Sequence, residues 1–149
     1  MGLDAEARAF LDAHTVAHLA TADAAAVPHV IPLCFARVDD RLYFVADDKP
    51  KRQGPLRLKR LRNIADNPRV ALVVDDYDDD WNRLAYLLVH LDAAIVDDDA
   101  EYDEALAALR HRYPQYGAMP LARPTHPIVR MTPRRWHLWR ASQRRAPSP

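Results

Sequence analysis

Residues 58–72 read Leu58-Lys59-Arg60-Leu61-Arg62-Asn63-Ile64-Ala65-Asp66-Asn67-Pro68-Arg69-Val70-Ala71-Leu72, and two periodicities meet at Asn67-Pro68. Before the proline, Leu58, Leu61, Ile64 and Ala65 recur at helical spacing and share an apolar face. After it, Arg69 to Val74 is mostly apolar and reads as a strand. A residue that precedes proline disfavours helical geometry, so the spacing predicts a helix over Leu56–Ala65 that stops at Asn67.

Upstream, Val27 to Val38 is rich in Val, Ile, Leu and Phe and long enough for a full barrel strand. Its prolines, Pro28 and Pro32, restrict it to an edge, a bulge or a bend. Asp39-Asp40 turns the chain into a second hairpin arm, Leu42–Ala46. A helix over Leu3–Ala13 and a strand over Val16–Thr21 precede this hairpin. Downstream, the acidic run Asp75 to Asp80 leads to a long strand, Leu84–Val96. Asp97-Asp98-Asp99 introduces a helix over Ala100–Tyr113, since carboxylates suit an N-cap and first turn. Pro114, Pro120, Pro124 and Pro127 mark a loop region, and Ile128–Met131 and Trp136–Trp139 read as two final strands. This order is not the alternation of a parallel doubly wound sheet. It predicts a mainly β (α+β) fold, a six- to seven-stranded antiparallel split β-barrel with peripheral helices. One domain is expected over residues 1–141, with a flexible tail at 142–149.

The chain has 149 residues, enough for one core, with 49% hydrophobic and 28% charged residues, which argues against disorder. Lys+Arg and Asp+Glu both number 21, so no global field draws it to nucleic acid or an anionic membrane. Cys34 is the single cysteine, which rules out an intramolecular disulfide and reads as a buried, inert thiol. Asp4 and Glu6 stand where the positive region of a secretory signal would be, and no apolar stretch reaches the ~18–20 residues that span a bilayer. A soluble, cytoplasmic protein is expected.

Charge is concentrated locally. All three lysines, Lys49, Lys51 and Lys59, lie with Arg52, Arg57, Arg60 and Arg62 in a stretch free of acidic residues. A phosphate or polycarboxylate is the natural counter-charge, and a solvated amphipathic helix is the competing reading. On the helical wheel Arg57 and Arg60 border the apolar face, three residues apart, while Lys59 and Arg62 turn toward solvent. The Asp75–Asp80 run lacks the spacing of a calcium loop, and the seven histidines form no zinc set; a solvated loop that pairs with the basic segment is the preferred reading, and no metal is expected. There is no nucleophile elbow, P-loop or glycine-rich dinucleotide turn.

The order hairpin, Lys49-Pro50-Lys51-Arg52, basic helix, Asn67-Pro68-Arg69-Val70-Ala71-Leu72 resembles the pyridoxamine-phosphate-oxidase-like, flavin-binding split-barrel superfamily. Pro28 to Phe35, Asp76 to Trp81, and Arg112 to Tyr116 followed by Met119-Pro120-Leu121 extend the likeness to the branch of probable deazaflavin (coenzyme F-420)-dependent enzymes. The resemblance covers about Phe10 to Trp139. It implies a homodimer with cofactor sites at the subunit interface, holding FMN or coenzyme F-420. It implies that Lys59 and Arg60 grip the cofactor phosphate, with Arg57 and Lys51 as further candidates. Phe44, Val45 and Ala46 would line the ring with backbone groups, and Val30, Ile31 and Pro32 would sit against its other side. Trp136 would close the partner's site or, alternatively, pack in its own barrel. Arg60 is reached by both the wheel and the resemblance.

The function implied is a flavin- or deazaflavin-dependent oxidoreductase that transfers a hydride between cofactor and a small unsaturated or conjugated substrate, with His29 or Tyr77 as candidate proton donors. The alternative is a non-catalytic flavin, deazaflavin or tetrapyrrole binding protein of the same fold. A nucleic-acid-binding module is disfavoured by zero net charge and the lack of aromatic residues interleaved in the basic run.

Overall fold

The computed structural model describes residues 2–47 and 58–141. Its elements are α1 (Ala5–Asp12), β1 (Ala17–Ala22), β2 (Pro28–Leu33), β3 (Ala36–Val38), β4 (Arg41–Val45), α2 (Lys59–Asp66), β5 (Arg69–Asp76), β6 (Ala85–Ile95), α3 (Asp99–Arg112) and β7 (Ile128–Arg140). Short 3-10 turns lie at Trp81–Arg83 and Pro114–Ala118. Two of the helices begin on aspartate caps: Asp4 accepts from the Ala7 N–H at 2.8 Å, and Asp98 from the Glu101 N–H at 2.8 Å.

The seven strands form one antiparallel sheet in the order β2-β1-β5-β6-β7-β4-β3. Its two edge strands are consecutive in the chain, separated only by Cys34 and Phe35. The sheet therefore curls until both edges meet on one stretch of polypeptide, which gives the expected antiparallel half-barrel with peripheral helices. Leu19, Phe44, Leu72, Leu87, Leu91 and Met131 fill its interior, fully buried. Each such side chain contributes roughly 1.5–3 kcal/mol by leaving water. A second core, with Tyr43, Val45, Tyr102, Leu109 and Ile128, lies between α3 and the outer side of β3 and β4.

Several expectations shift. The single strand expected over Val27–Val38 is two, broken at Cys34-Phe35, because it serves a different neighbour at each end: β1 for β2, and β4 for β3. Pro28 and Pro32 fall on β2, an edge strand, where proline is tolerated. The two expected final strands are one, β7, joined through a bulge opposite His90 and Leu91. Met131 and Pro133 point into the barrel before the bulge, Trp136 and Leu138 after it, and Arg134 and Arg135 both stay exposed. On α2, Ala65 is exposed and Asn63 is buried in its place, since the Asn63 amide donates to the Thr21 hydroxyl inside the barrel end at 2.9 Å. Cys34 is half-buried and packs against the second core. The 142–149 tail lies outside the described residues.

α1 closes one end of the barrel, where His14 reaches Asp76 at 2.7 Å, and α2 closes the other, beside the β1–β2 turn. Between these ends the outer face of β2, β1, β5 and β6 is uncovered among the described residues. Val30 is 63% exposed, and Ala20, Ala71, Val73 and Leu88 are half-buried. No helix among the described residues is long and apolar enough to cross a membrane.

Candidate cofactor site

The α2 end of the barrel holds a half-buried cation, Arg60. Arg60 turns its guanidinium inward, 6.0 Å from the centre of the Phe44 ring. Its Nε is buried and has no hydrogen-bond partner among the described residues. Burial holds its pKa below the ordinary arginine value, opposed by the nearby Asp47 carboxylate and by Tyr116. Asp47 is buried and accepts a 2.7 Å hydrogen bond from the Tyr116 hydroxyl. Burial, and then Asp47, push that hydroxyl far above the ordinary phenol value. A buried donor left without an acceptor costs about 1–3 kcal/mol, and more when it is charged. A phosphate oxygen is an acceptor of the right charge for this one, so the residues present fit a phosphorylated ligand.

Lys59 precedes Arg60 and so points about 100° away round the helix. Its Nζ lies 3.7 Å from Asp23 in the β1–β2 turn, at the rim of the same barrel end. The Asp23 carboxylate is held below its ordinary value, first by the Val27 N–H, with the Ala25 N–H and Lys59 adding to this against desolvation. Arg62 is exposed, as the wheel predicted. Lys51 and Arg57, with Lys49 and Arg52, lie outside the described residues.

The side chains of Phe44, Val45 and Ala46 are buried, so only their backbone can meet a ligand. The pairing with β3 stops at Tyr43, opposite Ala36, while β7 continues opposite Phe44 and Val45; among the described residues no strand pairs with the β3-side edge of residues 44–46. On β2, Val30 and Pro32 face outward and Ile31 packs against the core, so these three candidates divide between two faces. Trp136 turns into its own barrel, and its indole N–H donates to the Gly2 carbonyl at 3.3 Å. Trp139 is on the outer face, stacked on Tyr86 at 5.7 Å. His29 is half-buried on β2, and Tyr77 is 77% exposed at the β5–β6 tip.

The acidic run does not pair with the described part of the basic segment. It lies at the α1 end, where Asp76 meets His14 and Asp80 caps the turn that follows it. Among the described residues no group of three or more His, Cys, Asp or Glu side chains is placed to hold a metal ion.

Sequence reasoning missed two features. Asp47 and Tyr116 are 69 positions apart and meet only through the fold. A recess of about 470 Å³ on the outer face, lined by Arg69, His90, Arg134 and Arg135, is assembled by strand register and the β7 bulge. The doublet Arg134-Arg135 in an otherwise alternating strand was its only trace in the sequence.

Residues 3–140 match the family model described as pyridoxamine 5'-phosphate oxidase. No curated protein matches the sequence. Among solved structures, a conserved hypothetical protein of Mycobacterium tuberculosis is similar with TM-score 0.78 and 19% identity, over 100% of this chain and 91% of that one. A FAD-binding protein of Mesorhizobium loti is similar with TM-score 0.65 and 22% identity, over 90% and 92%. The heme storage protein HutZ of Vibrio cholerae is similar with TM-score 0.68 and 18% identity, over 94% and 95%. At these identities the likeness establishes the fold.

Proposed function

The chain belongs to the pyridoxamine 5'-phosphate oxidase family, and we propose that it binds the phosphate of FMN or of the deazaflavin coenzyme F-420 at the α2 end of its barrel. One observation carries the proposal: the buried Arg60 Nε without an acceptor, on a guanidinium that burial already disfavours. Arg60 would take the phosphate, with Lys59 at the rim. On the β3 side of Phe44–Ala46 the Val45 peptide groups would be offered to the polar edge of the ring system, since the Ala46 N–H already donates to the Pro127 carbonyl at 2.9 Å. The buried Asp47, which accepts from the Tyr116 hydroxyl at 2.7 Å, favours the charged form of the Arg60 guanidinium. When bound, such a cofactor supplies hydride transfer, and the protein supplies position and shielding from water. The activity proposed is oxidoreduction of a small unsaturated or conjugated substrate. The protein acts as a homodimer with the cofactor between subunits, which the uncovered outer face supports.

Titration of purified protein with FMN and with deazaflavin, followed by ligand fluorescence, tests the binding. Saturable binding of one of them is expected, and none of either overturns the proposal. Reoxidation of the reduced cofactor in the presence of conjugated substrates then tests turnover.

A second reading is favoured by His18 and His137, which share one cross-strand row on the outer face. Imidazole is a common haem ligand, and one structural relative is described as a heme storage protein. Tight haem binding with a Soret shift that is lost in His18→Ala, and no turnover with either flavin, is the outcome this reading requires.

A further inference from the structure

We propose that two copies of this chain pack outer face to outer face with their strands antiparallel, so that the acidic, aromatic β5–β6 tip of each copy covers the arginine recess of the other. The inference rests on the homodimer reading above and assigns its orientation and the residues that set it.

The outer face is built of cross-strand rows. Asp75, Tyr86 and Trp139 form the first; His18, Val73, Leu88 and His137 the second. Val30, Ala20, Ala71, His90 and Arg135 form the third, and Arg69, Asp92 and Thr132 the fourth. The middle rows are apolar at their centre, at Val73, Leu88, Val30, Ala20 and Ala71, and carry histidines beside them. The two ends are oppositely charged.

At the α1 end, Asp75 and Asp79 have no ion-pair partner among the described residues, and Tyr77 and Trp81 are 77% and 71% exposed beside them. At the α2 end, Arg69, Arg134 and Arg135 surround a single carboxylate. Asp92 lies 3.3 Å from Arg69 and 2.8 Å from Arg134, and among the described residues Arg135 has no ion-pair partner. The bulge creates this excess, because it places two consecutive arginines on one face of a strand that would otherwise alternate.

A two-fold axis that runs along the strands would set tip against tip and arginine against arginine. An axis across them, between the second and third rows, exchanges the first row with the fourth and matches opposite charges. Rows lie two residues apart, about 6.7 Å, so the first and fourth rows are about 20 Å apart and this axis lies about 10 Å from each. Complementary potentials of this kind fix register and exclude the like-charged alternative. Each copy's Tyr77 and Trp81 then reach the edge of the partner where Lys59 meets Asp23, so each subunit contributes an aromatic wall to the other's phosphate end.

The test uses the full chain in sedimentation equilibrium. The wild type is expected to be a dimer that weakens as salt is raised. Arg134→Glu with Arg135→Glu, and separately Asp78→Arg with Asp79→Arg, are expected to weaken dimerisation at least about tenfold. All four changes in one chain are expected to restore it, since the charges have changed places. Circular dichroism melts check that each variant is folded. In a Cys34→Ser background, Asp79→Cys alone is expected not to cross-link between subunits, whereas Asp79→Cys with Arg135→Cys is expected to do so on oxidation. A dimer that ignores both charge reversals, or a self-cross-linked Asp79→Cys, overturns the orientation while the dimer stands. A monomeric wild type overturns the homodimer reading, and the orientation with it.

Discussion

The Tyr113 hydroxyl holds Phe35 by both of its peptide groups, accepting from the Phe35 N–H at 3.0 Å and lying 2.8 Å from the Phe35 carbonyl. The same oxygen is 2.6 Å from the Thr15 carbonyl, and the two carbonyls share its one proton. Phe35 lies in the break between β2 and β3, the point where the two edges of the sheet become one chain. The end of α3 thus secures the seam of the barrel, and burial pushes this hydroxyl above the ordinary phenol range, against the hydrogen bond with the Phe35 backbone.

Tyr113→Phe removes that bracket and leaves a buried N–H without an acceptor. A loss of about 1–3 kcal/mol is expected, read by urea denaturation with an unchanged m-value. A midpoint equal to the wild type would mean that the seam holds without it.

Arg60→Ala is expected to weaken FMN or deazaflavin binding by about 1–3 kcal/mol, roughly 5–150-fold. The ligand-free protein should lose little stability, because the variant also removes a cation disfavoured by its own burial. Fluorescence titration beside a thermal melt separates the two effects. Equal affinity in the variant removes Arg60 from the site.

Glu101 receives two hydrogen bonds from Arg130, at 2.8 and 3.1 Å, and one from Tyr43 at 2.9 Å. Desolvation raises its pKa, but Arg130 and Tyr43 outweigh this and hold it below the ordinary 4.5. A carboxylate depressed in the folded state stabilises the fold above its unfolded value, and this stabilisation is lost as pH falls through the folded value. Glu101→Gln should therefore destabilise the protein near neutral pH, by on the order of 1 kcal/mol. The difference from wild type should shrink as pH drops below about 4. A gap that stays constant from pH 7 to pH 3 contradicts this.

Deletion of Arg134 would remove the extra residue of the bulge and leave a regular ladder, with Leu91 still opposite Pro133 and His90 still opposite Arg135. Trp136 and Leu138 would keep facing the barrel, so cooperative unfolding and unshifted tryptophan emission are expected. Loss of either would mean that the local bend of the bulge is needed to close the barrel. Arg134→Ala keeps the bulge and should cost under about 1 kcal/mol, the worth of its exposed pair with Asp92.

Much of this architecture was legible in the sequence, for local reasons. Asn67-Pro68 ends α2, Asp4 and Asp98 start α1 and α3, and β1, β4, β5 and β6 each carried their own apolar signature. The breaks within Val27–Val38 and the continuity of β7 were not legible. The first depends on which neighbour each half meets, and the second on a bulge that lets Pro133 and Trp136 both face inward. On α2, the burial of Asn63 was not legible either, since its partner Thr21 lies 42 residues away. The site divided in the same manner. Arg60 was reachable from helical spacing and the order of motifs. Asp47, Tyr116 and the arginine recess were not, since each arises from residues brought together across the sheet.

The placement of β7 between β6 and β4 has a consequence for synthesis. A nascent chain made through β6 can pair β2, β1, β5 and β6, but its β3–β4 hairpin has nothing to join, and β6 presents eleven residues of unpaired edge. Such an edge is a template for pairing with another chain. The ribosome must deliver residues 128–140 before that edge is closed, so slow translation of this last segment, or loss of it, should yield aggregate rather than a smaller folded protein.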